Sequence, residues 1–297
     1  DSRVELKSTS RPKTQGALFE TEPLTNTVKA RVGENALVTA DESVVVDARD
    51  TTTTVTLAGA LAVGGGQAGA GGSLATTVVV RDVTAEIAAD ADVTAYGEAS
   101  DYDGRKHETR GVVVDANATD RNFLFAVTAA GGKSAAVAGS VTTSAYVVDT
   151  AARIERGAQI NQRDTDSFVD AQSVAVRADH NTASVGLAGG VAVAKSAAVS
   201  GALGLNVVLR DTVAGIGDRS TDLGSDDAAV SAENDVVVTA QSDDWSLLLE
   251  ANVAGADKVG VAGSIGIGVF VTETRADIDD ASVAARDSVA VQARGDA

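Results

Sequence analysis

An internal repeat constrains the fold of this chain more than any other feature of its sequence. A β-branched run closed by alanine recurs at residues 44–48, 112–116, 174–178, 236–240 and 289–293. The closing alanines are 68, 62, 62 and 53 residues apart. A recurrence at this spacing is typical of stacked units, each of which buries its apolar face against its neighbours.

A second landmark recurs with a fixed internal spacing. A glycine is followed by a small residue and then an apolar one, and an acidic residue stands ten positions after the glycine. The four pairs are Gly72 and Asp82, Gly139 and Asp149, Gly201 and Asp211, and Gly263 and Glu273. The two landmarks together define about four units of about 62 residues.

The landmarks also predict the domain organisation. We expect an irregular N-terminal segment at 1–25 and one continuous array at 26–297. The units are placed at approximately 44–111, 112–173, 174–235 and 236–288, with partial units at both ends. Length variation falls in polar inserts at 90–110, 161–172 and 218–233. Insertions confined to one place in each unit are expected of loops that leave one side of a stack.

The residue types of the units favour strands over helices. Valine, threonine and isoleucine dominate, and apolar and polar residues alternate in several runs. Glycines inside the apolar stretches would each cost a helix about 1 kcal/mol. The sequence therefore predicts an all-β fold, a parallel and by default right-handed β-solenoid with two or three coils in each unit. The alternative is a stack of long β-hairpins or β-arches that turn at Gln67, Lys133, Lys195 and Asp257.

Composition excludes several classes of function. The 297 residues include 24 Lys and Arg against 42 Asp and Glu, a formal net charge of −18, which disfavours nucleic acid and anionic membranes as partners. Cysteine is absent and only two histidines occur, so thiolate and histidine-rich metal sites are excluded. Because methionine is also absent, we expect the sequence to be a processed form or a segment of a longer chain.

Two acidic inserts are the candidates for calcium. Residues 101–104 with Glu108 resemble the opening of a calcium loop but lack the acid at the twelfth position. Residues 218–222 with Asp226 and Asp227 form a second acidic group. We interpret both as solvated inserts, with calcium binding as the weaker alternative.

Other polar and aromatic residues are interpreted as structural. We expect His107 and His180 at the surface, Trp245 packed beneath the adjacent coil, and Thr51–Thr54 at the start of a strand. Lysines recur at the break of three units, at Lys133, Lys195 and Lys258. These lysines either pair with the recurring acids Asp149, Asp211 and Glu273 or keep a sheet edge soluble.

The order of motifs resembles the repeats of very large secreted bacterial proteins. The segments LAGALAV at 57–63 and LAGGVAV at 187–193, followed by AGS at 138–140 and 262–264, are similar to repeats of filamentous-haemagglutinin-like and leukotoxin-like exoproteins. The similarity covers residues 26–297. It implies an extracellular, right-handed β-helical shaft that displays adhesive or toxic parts elsewhere, and it contributes no catalytic motif.

These observations lead to one expected function and two alternatives. We expect a non-catalytic structural shaft or adhesin segment of a very large extracellular or cell-surface bacterial protein. The expected partners are adjacent repeats, copies of the same chain, or surface glycans and proteins of a host or neighbouring cell. We assign no catalytic, cofactor-binding or metal-binding residue, and we expect no nucleic-acid partner and no membrane-spanning segment. The alternatives are a self-associating extracellular filament or matrix subunit and a β-helical enzyme acting on polysaccharides.

Overall fold

All regular structure in the described part of the chain is β-strand. The computed structural model describes residues 4–9, 24–65, 67–97, 110–162, 168–217 and 227–296. Numbered in chain order, the strands fall into three sheets, and every strand pairing is parallel. Sheet A contains β1 (Val4–Thr9), β4 (Val44–Val63), β7 (Arg110–Gly132), β10 (Gln172–Ala194), β13 (Asp235–Ala256) and β16 (Ser288–Asp296). Sheet B contains β2 (Leu24–Val32), β5 (Ala68–Ile87), β8 (Ala135–Ile154), β11 (Ala197–Ile216) and β14 (Val259–Ile278). Sheet C contains β3 (Leu37–Ala40), β6 (Asp92–Ala95), β9 (Gln159–Ile160), β12 (Ala228–Ala232) and β15 (Ala281–Ala285).

Each coil of the solenoid consists of one strand from each sheet. The residues that align in the sequence repeat are hydrogen-bonded neighbours in space, as the row that joins Val44, Val112, Val174, Val236 and Val289 illustrates. The predicted all-β parallel solenoid is therefore confirmed. The expectation of two or three coils in each unit is wrong, because each unit supplies a single coil.

The cross-section of a coil is long and flat, which is why one coil absorbs 62 residues. In the first unit, the β-branched run at 44–48, the polar residues at 50–54 and the apolar stretch at 55–63 all belong to β4 of sheet A, which is 20 residues long. The corresponding strand β7 has 23 residues. The apolar stretch at 74–80, the acid Asp82 and residues 84–87 all belong to β5 of sheet B, which is 20 residues long. A strand of 20 residues extends about 66 Å.

The long strands of sheets A and B are connected by β-arches. The turns that contain Gln67, Lys133, Lys195 and Asp257 lie where the sequence predicted them. The two strands of an arch belong to different sheets, and each bonds to its counterpart in the next coil. The turns stack as well: the Ser134 amide donates to the Gln67 carbonyl at 2.8 Å, and the Ser196 amide donates to the Ser134 carbonyl at 3.2 Å. The hairpin form of the alternative is wrong, because the two long strands of a unit do not pair with each other, whereas the arch form is compatible with the solenoid, which consists of stacked arches.

The structure adds strands where irregular segments were expected. β6 and β12 of sheet C lie inside the inserts at 90–110 and 218–233. β1 lies inside the N-terminal segment 1–25 and pairs with β4. Short polar-flanked strands carry too weak an alternation to be distinguished from loops.

The apolar core lies at the base of the arches, where the three sheets surround a common interior. Val46 of sheet A, Ala85 of sheet B and Val93 of sheet C are all fully buried there. A second cluster of alanines, including Ala130, Ala136 and Ala192, fills the narrow tip of the arches. Between these clusters the interior is polar, and this layer is described below.

The arch tip requires glycine where the backbones approach most closely. A Cβ added at Gly132 would overlap the carbonyl oxygen of Ala135, whereas a Cβ at Gly139 would meet nothing within 4 Å. We predict that Gly132→Ala lowers the free energy of unfolding by about 1–3 kcal/mol, because the tip must open to admit the methyl group. The matched change Gly139→Ala should be neutral or stabilise by up to about 1 kcal/mol, because it restricts the unfolded chain. Urea unfolding followed by circular dichroism measures both, and equal losses in the two variants would contradict the arch geometry.

Candidate functional site

A polar layer occupies the middle of the arches. Along β4 the alternating side chains that face the interior change from valine and alanine to Asp50, Thr52 and Thr54, all of them buried. Polar side chains also meet across the arch: Thr56 and Thr77 share a hydrogen bond of 2.6 Å between their hydroxyl oxygens. Because strand side chains alternate between two faces, the polarity of this layer is set by every second residue.

Ionisable side chains of three successive coils form a chain in this layer. Arg81 Nη1 lies 3.3 Å from Asp50 Oδ2 in its own coil and also contacts Asp120 of the next coil. The other oxygen of Asp120 lies 3.4 Å from His180 Nε2, one coil further along. All four side chains are buried. The Arg81 guanidinium lies between the carboxylates of Asp50 and Asp120, and this compensates part of the desolvation of the three charges.

His180 is buried, so the expectation of a surface histidine is wrong. Its Nδ1 lies 3.2 Å from Thr150 Oγ1, and its Nε2 lies 2.9 Å from Thr182 Oγ1. Burial lowers the pKa of His180 below its ordinary value, and the hydrogen bond and charge of Asp120 oppose this only in part. The ring is therefore neutral at pH 7. The alternation of the strand predicts this placement. Val174, Val176 and Ala178 face the core, and His180 follows at the same two-residue spacing, so it lies on the same face.

A second ion pair repeats the arrangement further along the axis. Arg210 contacts Asp244, and its Nη1 donates to Ser242 Oγ at 3.4 Å. Arg210 occupies the same register position as Arg81, two coils away. Burial lowers the pKa of Arg210 to about 10, opposed by the charge of Asp120, so the group stays protonated at neutral pH. Both ion pairs are enclosed between sheets A and B, where their chemistry is mutual neutralisation and not contact with a substrate in solution.

The recurring acids form a row on the outer side of sheet B. Asp82, Asp149, Asp211 and Glu273 are register partners in successive strands. Partial burial raises the pKa of Asp149, and the charges of Asp211 and Asp82 raise it further. Asp211 shows the same direction of pKa shift, from burial and then from Glu273. The row borders an open groove of about 360 Å³, which is also lined by Lys29, Glu86 and Arg153.

Several predicted residues lie far from these groups. Lys133, Lys195 and Lys258 stand at the arch tips, so about 14 residues of strand, roughly 45 Å, separate them from the acid row. Of the two interpretations of these lysines, pairing with the acids is therefore excluded. Trp245 is 54% exposed on the outer side of β13, beyond the last residue of β13 that pairs with β16, so its packing beneath an adjacent coil stays a prediction. Residues Thr51–Thr54 lie within β4, not at its start.

The calcium candidates cannot be placed. Residues 101–104, Glu108, residues 218–222, Asp226 and also His107 fall outside the described residues, and only Asp227 is described. Among the described residues, no three or more acidic or histidine side chains are grouped so as to hold a metal ion. Within the same ranges, no helix is long and apolar enough to cross a membrane.

Comparison with known proteins supplies no relative. Neither protein-family models, nor curated proteins, nor solved structures contain a match to this chain.

The buried ion pairs generate a test of the polar layer. We predict that Arg81→Met lowers the free energy of unfolding by about 3–5 kcal/mol, because Asp50 and Asp120 would remain buried without this guanidinium. Arg121→Met is the matched control, since Arg121 follows Asp120 directly but is exposed. Urea unfolding monitored by circular dichroism measures both variants. An Arg81→Met protein as stable as the control would show that the buried pairs contribute nothing.

The acid row generates a pH dependence of defined sign. A carboxyl group with a pKa raised in the folded state stabilises the fold when protonated and costs stability as the pH rises from about 3.8 through the raised value. We therefore expect Asp149→Asn to raise the melting temperature at pH 7, with a gain that shrinks as the pH falls towards 3.8. Asp257→Asn, at an exposed arch tip, should change the melting temperature little at either pH. A gain that grows on acidification would contradict the assignment.

Proposed function

We propose that this chain is a non-catalytic shaft segment of a very large extracellular or cell-surface bacterial protein. The observation that carries the proposal is that one sequence repeat equals one coil, with every long strand in register with its neighbours. Each added repeat lengthens such a stack by about 4.8 Å with the same contacts. An array with this property can be extended to any length without new interactions, which suits a spacer.

The chemistry of the core supports a structural role. Inside the arches, the buried Arg81 and Arg210 contact the carboxylates of Asp120 and Asp244. The buried His180 contacts the Asp120 carboxylate and the Thr150 hydroxyl. A polysaccharide-active enzyme would instead rely on acids presented to a bound glycan, and the acid row beside the groove of sheet B is the place where that alternative is tested below. The absence of both cysteine and methionine also leaves no thiol or thioether to oxidise, which suits exposure outside the cell.

Mechanical unfolding tests the shaft directly. Because each coil bonds only to the coils above and below it, force applied to the two ends of the chain should remove one terminal coil at a time. Single-molecule pulling should therefore give successive contour-length increments of about 200 Å, the extended length of one unit. A single event that releases the whole chain would contradict the proposal, because it would indicate one cooperative globule.

The enzymatic alternative has a separate measurement. The purified chain is incubated with acidic and neutral polysaccharides, and new reducing ends are counted. Release of reducing ends that disappears in Asp149→Asn would favour the enzyme and overturn the non-catalytic shaft. The shaft proposal expects equal background from both proteins.

A further inference from the structure

The outer surfaces of the arches are apolar, the reverse of their polar interior. We call the outward-facing residues of 68–80, 135–147, 197–209 and 259–271 the B face, and those of 55–63, 123–131, 185–193 and 247–255 the A face. No charged side chain belongs to either face. In coils that are covered on both sides, Val127 of the A face is 50% exposed, and Val137 and Val199 of the B face are 49% and 44% exposed.

The B face is large enough to hold a stable partner. Thirteen residues of strand extend about 40 Å, and four strands about 4.8 Å apart span about 19 Å, which gives roughly 800 Å². Monomeric soluble proteins rarely expose a continuous apolar patch larger than about 300–600 Å². A stable protein interface buries about 800 Å² on each partner. The area of this face therefore meets what a stable pair of proteins needs.

The relief of the two faces is complementary. The glycine row at 72, 139, 201 and 263 forms the floor of a shallow channel across the B face, parallel to the solenoid axis. No atom of the fold lies within 3.8 Å of the Cβ position of these glycines, so packing inside the chain does not require them. The A face carries a row of large side chains in the same direction, composed of Leu57, Phe125, Leu187 and Leu249.

We propose that the B face of one molecule packs against the A face of a second copy of this chain, with the row of large side chains seated over the glycine row. Both rows repeat at the strand spacing of the same solenoid, so the match recurs at every coil without adjustment. Face-to-face sheets pack about 10 Å apart through such interdigitating side chains. The inference does not depend on the shaft role, because it concerns only the outer faces.

This contact leaves one free A face and one free B face on every pair. It is therefore a head-to-tail contact that does not close, and it extends into a lateral row of parallel blades. The net charge of −18 opposes close approach, so association should strengthen as salt screens the repulsion. A lipid surface fits less well, because the acid row of sheet B lies on the same outer side as the B face and would be carried towards the membrane.

Sedimentation velocity of the full chain over a wide concentration range, in about 0.5 M NaCl, tests the contact. We expect concentration-dependent association of the native chain. Gly139→Phe fills the channel with an apolar ring and should raise the concentration needed for association at least tenfold. Leu203→Lys should have the same effect, whereas Thr51→Lys, exposed outside both faces, should leave association unchanged. Circular dichroism and melting curves verify that each variant is folded.

The outcomes separate a second copy from other occupants. A native chain that remains monomeric at every concentration overturns the proposal. A Gly139→Phe protein that associates as strongly as the native chain, or more strongly, also overturns the proposal. The added ring would block a fitted channel, whereas it would strengthen non-specific apolar adhesion. If the native chain is monomeric but floats with neutral phosphatidylcholine vesicles, and Gly139→Phe increases the floating fraction, the faces bind lipid instead. Loss of association in Gly139→Phe and Leu203→Lys alone supports the fitted contact, whatever the pulling experiment gives.

Discussion

Parallel, in-register backbone pairing between successive coils is the interaction on which the rest of this structure depends. Once Val44, Val112, Val174 and Val236 are neighbours, every other position of the repeat also forms a row along the solenoid axis. A row of identical small apolar residues packs well, which accounts for the valine, alanine and glycine content of the chain. A row of identical charges repels, so the ionisable residues reveal how the protein manages the constraint.

Two solutions to that repulsion are present. In the interior, where water cannot screen, the rows vary from coil to coil: Asp50, Arg81, Asp120 and His180 alternate in charge and hydrogen-bonding role. On the outer side of sheet B, an acid recurs in register in every coil, and partial burial together with neighbouring charge raises the pKa of Asp149 and Asp211. In the arch interior, charged residues differ from coil to coil, so like charges are not neighbours in register. On the surface, the same charge recurs in every coil, because solvent reduces the repulsion between neighbouring carboxylates.

The middle of each arch has a polar interior and apolar outer faces. The outer faces are the surfaces through which we propose lateral contact. Coils extend along the axis through backbone hydrogen bonds, and the A and B faces present apolar relief at right angles to that axis. The proposed contact between the B face of one molecule and the A face of the next would add lateral rows to this axial stack. Axial extension and lateral packing require different residues, so the two properties can be changed independently, the first at the arch tips and the second at the outer glycine row.

The sequence by itself determined the all-β class, the repeat and the turn positions, because each depends on residues that recur at fixed spacing. It did not determine the third sheet, the single coil in each unit, or the placement of His180 and Trp245. Alternation divides a strand into two faces, but it does not say which face another sheet covers. Only the folding of 20-residue strands back into arches decided that His180 lies inside among polar groups and that Trp245 and the glycine row lie outside, and that choice created both the buried charge chain and the apolar surfaces.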